Sequence, residues 1–84
     1  MPTVHRAHGL RFVIFTDGHR PAHVHVIGGS GEAKIDLGGA DGAPRLAWAR
    51  GLGTGDIIRA MTEVAREQAM LLAAWSQIHG ELDQ

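Results

Sequence analysis

The sequence predicts an α+β domain: a small, mainly antiparallel sheet of three or four strands packed on one long C-terminal helix. Three observations predict it. Short runs of alternating or β-branched residues, broken by Gly, Asp-Gly and Pro, fill positions 3–37. From Gly55 to His79 the chain is apolar at helical period, with no Gly or Pro after Gly55. Length sets the rest, since 84 residues make one domain, 1–84, with a thin core.

The elements follow in order. Thr3 to Arg6 reads as a short edge strand. Leu10 to Phe15 is rich in β-branched and aromatic residues between Gly9 and Asp17-Gly18, with apolar side chains on both faces, so it is central or covered by another subunit. His23 to Ile27 follows Pro21, and Glu32 to Leu37 alternates again after the turn Gly28-Gly29-Ser30-Gly31. If those four residues are the loop, Ile27 faces Glu32, Val26 faces Ala33, His25 faces Lys34, Val24 faces Ile35 and His23 faces Asp36. One face is then Val24, Val26, Ala33 and Ile35, and the other is His23, His25, Lys34 and Asp36. The apolar face belongs under the helix and the polar face outside.

Residues 38–53 read as a loop by their Gly and Pro content, with Trp48 plugging the core. Thr54 to His79 reads as one helix, about 38 Å long, with Thr54 as N-cap, Asp56 at the positive end of the dipole and Gly80 as the stop. Its apolar face holds Ile57, Met61, Val64, Leu71, Leu72, Trp75 and Ile78, with Ile58 and Ala65 at the margin. Gln68 lies within that face, and its amide must find a partner in the sheet or across a subunit contact. So long a helix overhangs so small a sheet, which points to homo-oligomerisation through it and to the alternative of a non-catalytic regulatory or structural protein in which the histidines are incidental.

Composition excludes several classes. With no cysteine there is no disulfide framework, Cys-containing zinc site or thiol chemistry. No apolar run has signal-peptide or membrane-spanning length, so a soluble, cytoplasmic chain is expected, with no membrane partner. A net charge of -1 disfavours duplex DNA as sole partner. That total hides an asymmetry. Residues 1–34 carry Arg6, Arg11, Arg20 and Lys34 against Asp17 and Glu32, together with five of the six histidines, which leaves room for a local anion site. Gly51 to Gly55, ahead of the helix, is read as a loop closing into the helix start; no Gly-Lys-Ser/Thr makes it a nucleotide loop.

The His-x-His pair carries the most chemistry. Two imidazoles at i and i+2 of a strand project from one face roughly 7 Å apart. With Asp36 facing His23, the set His23, His25 and Asp36 is a candidate site for a divalent metal, His19 being a further ligand. The same face also has a metal-free reading. His23 and His25 act as acid and base on a ribose phosphodiester, Lys34 stabilises the phosphate, and Asp36 fixes an imidazole tautomer. In-line displacement prefers acid and base on opposite sides of phosphorus, so His5, His8 or His19 would have to supply the opposing group.

Met1-Pro2-Thr3-Val4, Leu10-Arg11-Phe12, Pro21-Ala22-His23-Val24-His25-Val26, Gly31-Glu32-Ala33-Lys34 and Leu72-Ala73-Ala74-Trp75 together resemble the small bacterial proteins filed as domain of unknown function number 4160. The resemblance covers nearly the whole chain. It implies a short cytoplasmic protein, encoded beside a second small protein in a toxin–antitoxin-like module. The partners expected are therefore that small protein from the adjacent gene and RNA. The resemblance assigns no catalytic residue. The loop Gly38 to Pro44 departs from the pattern in its glycine content.

Overall fold

The structure, a computed structural model, describes residues 3–39 and 42–80. It has the α+β architecture expected, with five strands rather than three or four and two helices rather than one. Strands β1 (Thr3–Ala7), β2 (Leu10–Val13), β3 (His23–Ile27), β4 (Glu32–Asp36) and β5 (Arg45–Arg50) form one antiparallel sheet in the order β1-β2-β3-β4-β5. Helices α1 (Thr54–Arg66) and α2 (Gln68–His79) follow. Among the described residues no helix is long and apolar enough to cross a membrane.

The β1–β2 hairpin closes through His8 and Gly9, both at positive φ (56° and 76°), the geometry of a two-residue turn whose twist matches the strands. The β3–β4 register is the one the alternation predicts, from Ile27 opposite Glu32 to His23 opposite Asp36. Val24, Val26, Ala33 and Ile35 are fully buried with Phe12, Ile14 and Leu37. They pack against Ala60, Val64, Leu71 and Trp75 of the helices. Each large apolar side chain so buried contributes roughly 1.5–3 kcal/mol, so this layer supplies most of the favourable term in folding. β2 lies between β1 and β3, and Val13 on its other face is also fully buried.

The segment read as a loop contains β5. Its pairing slips between Lys34 and Ile35: Trp48 faces Lys34 while Leu46 faces Ile35, so Ala47 is an extra residue. Trp48 therefore shares the face of Lys34, away from the helices. It does not plug the core.

Thr54 is the first helical residue, and Gly53 occupies the cap position. Gly80, at φ 75°, ends α2 as expected. The break between the helices falls at Glu67 (φ -105°, ψ 20°), although its N–H still bonds to the Glu63 carbonyl. No Gly or Pro causes it. It coincides with the tethering of Gln68, whose amide nitrogen donates to the carbonyls of Leu37 (2.7 Å), Gly42 (2.9 Å) and Gly39 (3.3 Å). The required partner is thus within the chain, in the loop after β4. The apolar stripe is largely covered by the chain's own sheet, and Ile58, at 59% exposure, is the large side chain it leaves in solvent.

Candidate functional site

Facing residues of an antiparallel sheet share a side, so the register gives the rows of the face opposite Val24, Val26 and Ile35, a face that α2 covers only at its His23 end. One row runs Arg6, Arg11, Ile27, Glu32, Arg50 across all five strands; the next runs Thr3, Val13, His25, Lys34, Trp48; a third adds His23, Asp36 and Arg45. Five cations thus lie with two carboxylates on one side of a chain whose net charge is -1. The Arg50 guanidinium lies 4.8 Å from the centre of the Trp48 ring. Arg6 makes no ion pair among the described residues, and Arg11 reaches only the Thr3 hydroxyl, at 3.4 Å. Both line a cleft of about 460 Å³ floored by Leu10, Ile27 and the Gly28-Gly29 backbone.

The four predicted site residues share this face but differ in environment. His23 is 5% exposed. Its Nδ1–H donates to the Pro21 carbonyl (2.9 Å), and its ring packs 5.1 Å from Trp75 and 5.2 Å from His25. Trp75 in turn stacks on His79, 4.0 Å away, whose Nε2–H donates to the Phe15 carbonyl. Burial pushes the His23 pKa down, and Lys34 and His25 push it further; the Pro21 carbonyl and Asp36 act the other way without reversing it. Folding therefore favours the neutral imidazole.

His25 is held otherwise. Its Nδ1 lies 3.0 Å from Glu32 Oε2, and its ring meets Phe15 edge-on at 4.4 Å and Trp48 at 6.0 Å. The side chains of Asp36 and Lys34 make no hydrogen bond or ion pair among the described residues. The tautomer-fixing role expected of Asp36 thus falls to the Pro21 carbonyl for His23 and to Glu32 for His25. Nor are His23, His25 and Asp36 gathered as metal ligands. Among the described residues the group whose ligand atoms converge is His5, Glu63 and Glu67, on the helix side of the sheet. Glu32 was legible as a partner, because the register puts it diagonal to His25, two residues from facing Lys34. The contact of Trp75 with His23 joins residues 52 apart in the chain and leaves no local signal.

The depressed His23 pKa fixes the sign of a pH effect. The unfolded chain takes up this proton first, near 6.5, so stability is fully present above that value and is lost as pH falls toward the folded pKa. The urea midpoint is expected to fall between about pH 7 and pH 5, and to fall less in His23→Asn. Equal drops in the two proteins would show that another group carries the effect.

No curated protein and no solved structure matches the chain. The family described as Domain of unknown function (DUF4160) matches residues 9–79, from the β1–β2 turn to the end of α2. That span holds the paired histidines, Lys34 and the helices that cover His23, and by this match the chain belongs to the DUF4160 family.

Proposed function

We propose that this chain is the RNA-engaging component of a bacterial toxin–antitoxin-like two-gene module, holding RNA on the open face of its sheet. The observation that carries the reading is the segregation of Arg6, Arg11, Lys34, Arg45 and Arg50 onto that face, the one away from the buried Val24, Val26 and Ile35. Guanidinium and ammonium groups spread over one sheet face match phosphates spaced along a strand. Trp48, backed by Arg50, offers a stacking surface for a base. The cleft between Arg6, Arg11 and Gly28-Gly29 suits one phosphate, with two cations and backbone groups around it. The small partner protein from an adjacent gene rests on the family membership.

The reading is binding rather than cleavage. Of the two histidines, His25 lies beside Lys34 and is paired with Glu32, an arrangement able to accept a ribose hydroxyl proton. His23 is buried under Trp75 and supplies no second proton-transfer group to a substrate on this face. A metal on His23, His25 and Asp36 has no geometric support, and oligomerisation through the helices has little apolar surface left to use.

Fluorescence anisotropy of a labelled single-stranded RNA of ~20 nucleotides, measured across salt concentrations, tests the reading. Three or four phosphate contacts give a log–log salt slope of about -2 to -3. The double variant Lys34→Ala/Arg50→Ala is expected to bind ~10-fold or more weakly at moderate salt and to lose about 1.4 from that slope. An unchanged affinity and slope in the variant would move the site elsewhere, and no saturable binding by the parent chain would reject the reading.

A further inference from the structure

On the helix side of the sheet, at the edge away from β5, a second set of polar side chains converges. His5 projects from β1 toward α1, its ring 5.4 Å from Phe12 and its Nε2 2.6 Å from Glu63 Oε2. Glu63 faces the sheet and is 4% exposed. A carboxylate so placed is costly unless cationic or hydrogen-bonding groups compensate it, and the His5 hydrogen bond, which outweighs burial, holds its pKa below the usual range. Glu67 lies one turn further, at the joint between the helices, on the same side as Glu63. One ligand atom from each of His5, Glu63 and Glu67 lies within 4.8 Å of the other two. His8 Nε2, carried by the β1–β2 turn, is 3.7 Å from the other Glu63 oxygen.

We propose that His5, Glu63 and Glu67 form a binding site for a first-row divalent cation, zinc foremost, with His8 in reach as a fourth ligand. One imidazole and two carboxylates are the donor types that zinc takes at 2.0–2.2 Å. Tetrahedral ligands at that radius stand about 3.3 Å apart, so His5 and Glu63 need part by only about 0.7 Å. The two carboxylates balance the charge of the ion.

The seat is already used by positive charge. The Arg66 guanidinium spans both carboxylates, 3.4 Å from Glu63 Oε2 and 3.5 Å from Glu67 Oε2. Its side chain is 67% exposed, so swinging out into water costs little. Arg66 therefore competes with the cation, which separates a metal site from a purely structural ion-pair cluster. In the structural case removing Arg66 merely loses a contact; in the metal case it vacates the seat. A bound ion would also tie β1 to the helix joint, two elements otherwise linked here by the His5–Glu63 bond. The proposal is independent of the RNA face on the other side of the sheet.

The test is zinc titration of the untagged, chelator-stripped chain, followed by calorimetry and by thermal unfolding with and without the ion. One equivalent is expected to bind and to raise the melting temperature. Glu67→Gln, which conserves size at a partly exposed position, is expected to weaken binding 10-fold or more and to abolish the thermal shift. Arg66→Ala is expected to tighten binding several-fold. No saturable uptake, a Glu67→Gln variant that binds like the parent, or an Arg66→Ala variant that binds no more tightly would each overturn the proposal. So would loss of binding in a folded His25→Ala variant with Glu67→Gln unaffected, because it would place the ion on the other face.

Discussion

A methyl group at Gly31 is expected to cost the chain about 3 kcal/mol or more, a large share of the roughly 4–13 kcal/mol that holds a domain of this length folded. A Cβ there would lie 2.2 Å from the Arg50 carbonyl oxygen, 2.5 Å from the Gly51 carbonyl carbon and 2.7 Å from its Cα. All three are backbone atoms, so no side-chain rotation relieves the clash. The approach is reciprocal, since a Cβ at Gly51 (φ 81°) would meet the Ser30 carbonyl at 2.5 Å. The tip of the β3–β4 hairpin therefore rests directly on the end of β5, next to the pair Glu32–Arg50. Relief requires that the hairpin tip and β5 separate, which breaks that end of the ladder and moves Arg50 off the proposed RNA face. The control is Gly29→Ala, two residues away, where an added Cβ meets nothing within 4 Å and an effect below about 1 kcal/mol is expected. Urea denaturation followed by circular dichroism measures both. Similar midpoints for the two variants would show that the close approach carries no weight.

The irregular pairing of β5 marks the line between what was legible in the sequence and what was not. The β3–β4 hairpin could be read because its alternation is unbroken on both strands and a four-residue glycine turn fixes the register. β5 could not. Its extra residue, Ala47, puts Leu46 and Trp48 on opposite faces although they are two apart, so the segment shows no period-two signal, and its flanking glycines read as loop. Two of the five cations on the open face, Arg45 and Arg50, were hidden with it. The helix break at Glu67 was hidden too, because Gln68 bonds to carbonyls that follow β4 rather than to anything local. Glu63 escaped notice for a related reason. A carboxylate on a sheet-facing position breaks the apolar stripe, and only the pairing of β1 with β2 brings His5 to meet it.

His23 and His25, alike in sequence, are expected to part company on substitution. His23→Ala removes a buried ring that packs on Trp75 and His25 and is bonded to Pro21, and leaves a cavity; a loss of about 2–4 kcal/mol is expected, with a lower soluble level. His25→Ala gives up edge contacts with Phe15, His23 and Trp48 and a hydrogen bond to a partly exposed Glu32, for about 1–2 kcal/mol. A double alanine variant that loses RNA binding would therefore report mainly on folding. The single variants separate the causes. If the open face binds RNA through its cations, a folded His25→Ala variant keeps affinity within about threefold of the parent chain. His23→Ala keeps it too wherever the variant is still folded. A folded His25→Ala variant that has lost an RNA-cleaving activity retained by folded His23→Ala would reverse the reading. It would make His25, oriented by Glu32 and flanked by Lys34, the reacting group of a nuclease. The comparison is decisive because the two rings differ in what covers them, not in what they are.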